Sequence, residues 1–211
     1  MKFYLEITLL PNPEVGINFL WSKVFQQIHL GLVELQEEQV PIGVSFPEYV
    51  IGEKYSVLGS KCRLFARDDA TLARFDAGKW LARLSDYVHC TSIRPVPEKI
   101  LGYATYQRQQ PKTSKERLAR RYAKRHGLGV AEALQTTIDL SDKATPNAGY
   151  KMQFRYCDMP PKAIATPFIR LKSLSSEQTF CLWIKKTLVA EASEEGFSRY
   201  GLSPKATVPE F

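Results

Sequence analysis

The chain has 211 residues, of which 44% are hydrophobic and 11% aromatic, and a formal net charge of +7 at pH 7. This composition is typical of one large or two small globular domains and excludes an intrinsically disordered chain. The positive charge favours an acidic partner, either a nucleic acid or a membrane surface. No apolar run reaches the roughly 18 residues of a membrane span, and the N-terminus lacks the apolar stretch of a signal peptide. We therefore expect a cytoplasmic protein without a membrane partner.

Several common kinds of site lack their sequence motifs. Cys62, Cys90, Cys157 and Cys181 are dispersed without a CxxC spacing, which favours free thiols in a reducing compartment over zinc ligands or disulfides. The chain has no HExxH motif, no clustered carboxylates and no Cys/His ligand spacing. It also lacks the GxxxxGK(S/T) and GxGxxG motifs of nucleotide sites. We expect neither a metal nor another cofactor.

The first part of the chain changes repeatedly between the period of a strand and the period of a helix. Apolar residues recur at every second position in 3–10 and at mostly three- and four-residue steps in 15–35, which predicts a strand and then a helix. The further elements expected here are strands at 42–46 and 61–67, a helix at 69–84 and a strand at 89–96.

This β-α-β-β-α-β order is that of a ferredoxin-like (RRM-like) domain, the topology of many RNA-recognition sheets. The third strand, however, offers only Phe65 where such sheets carry several aromatic residues, so we do not expect RNA to stack on the sheet. The fold class predicted is α+β, with a ferredoxin-like domain at 1–97 and a C-terminal domain at 98–211 that contains an arginine-rich helix and a β-hairpin.

The C-terminal part is interpreted from its breaks and its short apolar runs. Residues 98–110 are expected to link the two domains and to lead into the arginine-rich helix. The elements expected after that helix are a short helix at 130–136, a polar loop at 139–162, a hairpin of 168–171 with 180–184, and a last strand at 197–202.

The arginine-rich helix, expected at 114–126, is the most charged stretch of the chain. Thr113 and Glu116 have the spacing of a capping box, and His126-Gly127 suits the C-terminal end. One helical face carries five cations without an acid to pair them: Arg117, Arg120, Arg121, Lys124 and Arg125. Such a face repels itself until a polyanion binds, which favours a nucleic-acid-binding helix over a merely solvated one.

The three histidines have simple structural explanations when taken alone. His29 lies among apolar residues of the first helix, where a hydrogen-bonded side chain at the edge of the core is the better interpretation and a functional imidazole the alternative. His89 begins a strand, and His126 lies at a helix C-terminus, where a positive charge is favoured. From the residues alone, the chain is a basic nucleic-acid-binding protein with a ferredoxin-like half.

A family resemblance extends this interpretation. The motifs that carry it occur in one order along nearly the whole chain: His29 and then GVSFP at 43–47, Arg108 and Gln110 before the arginine-rich helix, and YGLS at 200–203. Together they resemble the CRISPR-associated endoribonucleases that process precursor CRISPR RNA in type I-F systems. Only the segment 139–162 is longer than this family leads us to expect.

The resemblance implies metal-independent cleavage of the repeat RNA at the 3′ base of a stem-loop. The ribose 2′-OH attacks the adjacent phosphate and leaves a 2′,3′-cyclic phosphate and a 5′-OH end. His29 matches the catalytic histidine, which acts as the base or as the acid for the leaving group. Ser173 matches the serine that positions the 2′-OH, with Ser175 as an alternative, and Tyr200 matches a tyrosine that orients His29 or the scissile region.

The resemblance also divides RNA recognition among several residues. Arg108 and Gln110 match residues that read guanine and adenine edges, for which their forked side chains are suited. The five helix cations would contact phosphates in the major groove of a short stem, and Phe180 would stack on the terminal base pair. The implied partners are the CRISPR repeat stem-loop RNA and other subunits of a type I-F crRNA-guided surveillance complex, in which the protein retains its product hairpin.

Two alternatives remain beside the endoribonuclease. The first is a subunit that holds the RNA hairpin and no longer cuts it. The second is a general RNA- or DNA-binding structural protein, which would bind unrelated duplexes almost equally at fixed salt because its affinity depends on phosphate contacts.

Overall fold

The computed structural model of the protein describes residues 1–35, 40–53, 55–110, 114–140, 152–159, 164–173 and 176–211. The chain forms two compact units: unit 1 comprises Met1–Gln109 and Ala165–Phe211, and unit 2 comprises Gln110–Ile164. Each unit is a group of residues that lie close together in space. The division into domains at 1–97 and 98–211 stays a prediction.

Unit 1 contains most of the secondary structure. Its helices are α1 (Ile17–Glu34), α2 (Asp69–Phe75) and α3 (Ala77–Leu81). Its strands are β1 (Phe3–Leu9), β2 (Gly43–Ser45), β3 (Val50–Ile51), β4 (Ser56–Val57), β5 (Lys61–Ala66), β6 (Val88–Cys90), β7 (Arg94–Pro95), β8 (Gly102–Gln109), β11 (Phe168–Lys172), β12 (Thr179–Val189) and β13 (Val208–Glu210). Unit 2 contains α4 (Lys115–His126), α5 (Val130–Gln135), β9 (Thr137–Leu140) and β10 (Met152–Arg155).

Two antiparallel sheets form the frame of unit 1. The first has the strand order β2-β5-β1-β6, with β7 also paired to β1, and the second has the order β11-β12-β8-β13. β3 and β4, which the sequence analysis did not predict, form a small separate pair. The structure is therefore a mixed α+β fold with antiparallel sheets.

A single hydrophobic core lies beneath both sheets. Alternate residues of β1 are buried, as the period of two predicts, and so are Val24, Phe25 and Ile28 of α1, which follow a helical spacing. The same core includes Ile169 of β11 and Leu182 of β12. α1, the helix that carries His29, packs against β11 of the second sheet and against α3, which follows β5 of the first sheet.

The helix predicted at 69–84 is divided in two at Asp76. The backbone of Asp76 is left-handed, with φ of 48°, and its N–H donates to the Leu72 carbonyl at the end of α2. Its carboxylate accepts a hydrogen bond from the Lys79 N–H at 3.1 Å. One aspartate thus ends α2 and caps α3.

The strand predicted at 89–96 is two short strands, β6 and β7. Between them the Thr91 hydroxyl accepts the Glu6 N–H at 3.0 Å, while the Thr91 N–H donates to the Glu6 carbonyl. A side chain has therefore taken the place of one backbone partner, and the regular ladder is interrupted there.

The linker predicted at 98–110 is wrong, because β8 occupies most of it. β8 lies between β12 and β13 in the second sheet, and its residues Ala104, Thr105 and Tyr106 are buried. Its mixed polar sequence hides this role, since the outer residues of the strand remain accessible.

The last predicted strand, at 197–202, is also wrong. Phe197 makes one isolated bridge to Val40, and the chain then turns, with the Ser198 N–H bonded to the Leu202 carbonyl. The true C-terminal strand is β13, which pairs with β8 and was not predicted.

Unit 2 is built around the arginine-rich helix α4. Its N-cap is Ser114, whose hydroxyl accepts the Arg117 N–H, so the capping box expected between Thr113 and Glu116 is wrong; Thr113 itself lies outside the described residues. Gly127 ends the helix in a left-handed conformation, as predicted. β9 and β10 pair within the segment predicted as a polar loop, whose residues 141–151 and 160–162 lie outside the described part.

Two further expectations concern the whole chain. All four cysteines have free thiols, with Cys62 buried and the other three half-buried. Within the described ranges, no helix has both the length and the apolar character that crossing a bilayer requires.

Tyr106 offers a test of the buried frame. Its hydroxyl lies 3.1 Å from the Phe46 carbonyl oxygen and 2.9 Å from Glu210 Oε1, in the interior of unit 1. We expect Tyr106→Phe to lower the free energy of unfolding by about 1–3 kcal/mol, because the Phe46 carbonyl and the Glu210 carboxylate share this one hydroxyl donor and both lose it. Urea unfolding measures this, with Tyr55→Phe as control because Tyr55 is 74% exposed. Equal stability of the two variants would contradict the expectation.

Candidate functional site

A cavity of about 410 Å³ in unit 1 brings together residues that are distant in the sequence. His29 comes from α1, Ser173 from the end of β11, Phe180 from β12, and Arg199 and Tyr200 from the C-terminal turn. Three of these were predicted as catalytic residues and Phe180 as an RNA-stacking residue. Because one cavity collects them, they can act on one bound group.

His29 lies at the edge of the buried face of α1, next to the fully buried Ile28. Its Nδ1 lies 2.7 Å from the backbone oxygen of Arg199, which is 170 positions away in the sequence. A carbonyl oxygen can only accept a hydrogen bond, so Nδ1 carries the proton. In the neutral imidazole the lone pair is then on Nε2, which is the form of a proton acceptor.

Tyr200 holds the plane of this imidazole. The two rings are stacked with centroids 4.2 Å apart and an interplanar angle of 11°. The hydrogen bond fixes the rotation of the His29 ring, and the stacked tyrosine fixes its tilt.

The environment of His29 lowers the pKa of its imidazole below the ordinary value. Burial is the largest cause, because it penalises the charged form. The hydrogen bond to the Arg199 carbonyl acts in the opposite direction, and the positive charge of Arg199 lowers the pKa further. His29 is therefore neutral, and able to accept a proton, over a wider pH range than an ordinary histidine.

The turn that carries Arg199 and Tyr200 is fixed by Gly201. This glycine has φ of 68°, and a Cβ atom added to it would lie 2.3 Å from Cγ2 of Val44. Its carbonyl accepts the Val44 N–H, so the turn is pinned directly to the strand β2. Only glycine combines the left-handed backbone with so close an approach.

Ser173 lies where β11 leaves the sheet. Its N–H donates to the Gln178 carbonyl at 2.9 Å, and its hydroxyl accepts the Ser176 N–H at 3.3 Å. The hairpin predicted here is confirmed, and its turn presents Ser173 to the cavity. The alternative residue, Ser175, lies outside the described residues.

Arg108 is an exposed residue near the end of β8. Its guanidinium carbon lies 5.3 Å from the ring centroid of Phe180 and 5.8 Å from that of Tyr200. These are distances of cation–π contacts, and they place the predicted guanine reader beside the cavity that His29 lines. Gln110, its predicted companion, is exposed and is the first residue of unit 2.

All five predicted phosphate-binding cations of α4 are exposed: Arg117, Arg120, Arg121, Lys124 and Arg125. The opposite side of the helix is buried through Ala119 and Ala123, which pack with Ala133 of α5. The small alanine side chains let α5 pack closely against this side of the helix. The five long cationic side chains lie on the remaining surface, which is exposed to solvent. Among the described ion pairs, none includes these five residues.

The positive charge of the chain is concentrated in unit 2. Gln110–Ile164 contain 11 lysines and arginines against 5 acids, a net charge of +6 out of the total of +7. Unit 1 has 18 against 17. The acidic partner expected from composition is therefore attracted mainly by unit 2, whereas the histidine cavity belongs to the nearly neutral unit 1.

Sequence reasoning missed two features of the site. The first is the Arg199 carbonyl as the partner of His29, which no local pattern indicates because the two residues meet only in the folded chain. The second is the contact of Arg108 with Phe180 and Tyr200, which was hidden while β8 was interpreted as a linker. Phe65, the aromatic residue of the predicted third strand, is fully buried, and the expectation that RNA does not stack on this sheet stays a prediction.

An imidazole in its proton-accepting form, a neighbouring hydroxyl and an exposed cationic helix are features of a protein that acts on nucleic acid. Comparison with known proteins gives the family. Residues 4–211 match the model of the family described as CRISPR-associated protein (Cas_Csy4), and the chain belongs to this family. The membership inferred from the sequence motifs is thereby confirmed.

Two relatives match over 100% of both chains. The chain is 34% identical over 212 residues to a protein named CRISPR-associated endonuclease Cas6/Csy4 from Escherichia coli strain UTI89. It is 35% identical over 215 residues to a protein of the same name from Pseudomonas aeruginosa strain UCBPP-PA14. A solved structure described as "An RAMP protein binding different RNA substrates" aligns over 99% of each chain, at a TM-score of 0.33 and 11% identity.

The lowered pKa of His29 can be measured directly. We expect NMR titration to give His29 a midpoint below the ordinary value of about 6.5, with the signal assigned by its loss in His29→Gln. Because the unfolded chain then binds more protons than the folded chain, His29 reduces stability as the pH falls through about 6.5 towards the folded value. A midpoint at or above the ordinary value would show that burial does not control this imidazole.

Proposed function

We propose that this protein is an endoribonuclease that cleaves CRISPR repeat RNA at the 3′ base of a stem-loop without a metal ion. One observation carries the proposal: the Arg199 carbonyl fixes the Nδ1–H tautomer of His29, which leaves the lone pair on Nε2, and His29 lines one cavity together with Ser173 and Tyr200. The names of the two full-length relatives support the endonuclease class.

The proposed reaction uses the RNA itself as nucleophile. The ribose 2′-OH loses its proton, its oxygen forms a bond to the adjacent phosphorus, and the bond from phosphorus to the 5′ oxygen breaks. The leaving oxygen takes up a proton, so the products are a 2′,3′-cyclic phosphate and a 5′-OH end. His29 acts as the base for the 2′-OH or as the acid for the leaving oxygen, a role worth about 10² to 10⁴ in rate.

Ser173 and Tyr200 would serve this reaction by positioning. The Ser173 hydroxyl would hold the ribose so that its 2′ oxygen is in line with the leaving oxygen, and Ser175 is the alternative for this role. Tyr200 would keep the imidazole plane directed at the reacting ribose, which its stacking distance of 4.2 Å supports.

RNA recognition would be shared between the two units. The five exposed cations of α4 would bind phosphates of the stem, and the net charge of +6 on residues 110–164 supports this assignment. Arg108 and Gln110 would read base edges at the bottom of the stem, and Phe180 would stack on the terminal base pair. The protein would then keep its product hairpin and act in the cytoplasm as a subunit of a type I-F surveillance complex.

We further propose that residues 1–97 form a ferredoxin-like domain and that 98–211 form the C-terminal domain. The strand order β2-β5-β1-β6 supports this, because α1 follows β1, and α2 with α3 follow β5. The resulting order of the four strands is that of a β-α-β-β-α-β sheet.

The decisive experiment compares wild type and His29→Ala on a labelled hairpin from the CRISPR repeat of the protein's own host, in EDTA. We expect the wild type to cleave, and His29→Ala to bind equally well but cleave at least about 10²-fold more slowly. His89→Ala is the matched control, because His89 is an exposed histidine on β6. Tight binding without cleavage by the wild type would leave a hairpin-holding subunit in place of the nuclease.

Base reading by Arg108 has a separate test. We expect the wild type to bind the repeat hairpin about 10- to 100-fold more tightly than a hairpin in which the base pairs at the bottom of the stem are exchanged. Arg108→Ala should bind the two hairpins equally. Fluorescence anisotropy at fixed salt measures both RNAs, with Arg83→Ala as control because Arg83 is an exposed arginine of the same unit. Equal weakening for both RNAs would show that Arg108 contacts only phosphate.

A further inference from the structure

Arg199 combines two kinds of contact with the catalytic cavity. Its backbone carbonyl accepts the Nδ1–H of His29, and the residue itself lines the cavity with its side chain largely exposed. Burial is the largest cause of the lowered pKa of His29, and the positive charge of Arg199 adds to it. The guanidinium therefore acts electrostatically on the imidazole that lies in this cavity.

Within the part of the chain that the structure describes, the charged groups near Arg199 leave its guanidinium without an ion-pair partner. Two acids lie just before it in the sequence, but Glu194 pairs with Arg67 at 3.2 Å and Glu195 with Lys205 at 3.3 Å. Among the described residues, no ion pair includes Arg199 and no carboxylate lines the cavity; the other charged residue of the lining is Lys172. The cavity is thus cationic around a histidine.

A cation beside a histidine that must accept a proton is unfavourable, since it opposes the formation of the imidazolium. The arrangement becomes favourable when an anion enters the cavity and lies between the Arg199 guanidinium and the imidazolium of His29. Cleavage by a 2′-OH provides such an anion, because negative charge develops on the non-bridging phosphate oxygens in the transition state. Donors placed in advance at such a point are typically worth about 10² to 10³ in rate.

We propose that Arg199 is a further catalytic residue, whose guanidinium contacts a non-bridging oxygen of the scissile phosphate and stabilises the charge that develops there. The inference rests on the proposed function, since it requires the RNA to be cut in this cavity. The planar guanidinium suits phosphate oxygens better than an ammonium group does, because it can donate two parallel hydrogen bonds.

The test uses single-turnover cleavage of the repeat hairpin in EDTA. We expect Arg199→Ala to cleave about 10²-fold more slowly, Arg199→Lys to recover part of the loss, and the exposed control Arg83→Ala to match wild type. A hairpin with a 2′-deoxy nucleotide at the cleavage site cannot react, so it reports binding alone. We expect Arg199→Ala to change the affinity for this hairpin far less than it changes the cleavage rate.

Sulfur substitution separates phosphate contact from a structural role. In the wild type, replacing the contacted non-bridging oxygen by sulfur should slow cleavage, and this effect should disappear in Arg199→Ala. If Arg199→Ala cleaves like wild type, or is slow but keeps the full sulfur effect, the inference is overturned; the second outcome means that the residue only supports the turn. If the wild type does not cut the unmodified hairpin, the proposed function itself has failed.

Discussion

The hydrogen bond from His29 Nδ1–H to the Arg199 carbonyl is the interaction on which the site depends. It joins a helix near the N-terminus to a turn 170 residues later, at 2.7 Å. It determines the tautomer of the imidazole and limits the rotation of its ring, on whose face Tyr200 stacks. Without it, a histidine at the edge of α1 would be an ordinary core-edge residue.

The geometry of this hydrogen bond depends on the position of the turn that carries the Arg199 carbonyl. The turn is anchored to β2 through the Val44 N–H and to β8 through the Tyr106 carbonyl, which accepts the Ser203 N–H. Gly201 permits the first anchor, because any side chain at that position would meet Val44. The sheets of unit 1 therefore support the geometry of the His29 cavity, and a substitution far from His29 can disturb it.

Charge and chemistry are distributed differently over the chain. Unit 2 has nearly all of the net positive charge, on a helix whose inner side consists of alanines. Unit 1 is nearly neutral, but among its described residues the cavity beside His29 is lined by Arg199 and Lys172 and by no carboxylate. If the proposed roles hold, long-range attraction of a polyanion and local stabilisation of one phosphate belong to separate groups, and mutation should separate affinity from rate.

The sequence by itself determined the features that depend on neighbours along the chain. The spacing of apolar residues located β1, α1 and the β11–β12 hairpin, and charge spacing located the cationic face of α4, because both are local periodicities. Family motifs added His29, Ser173 and Tyr200. Only the tertiary structure decided that β8 is the centre of a sheet, that Asp76 divides a helix, and that the Arg199 carbonyl holds His29. Each of these depends on partners or backbone conformations that a local pattern does not record, since strands and turns distant in sequence meet only when the core closes.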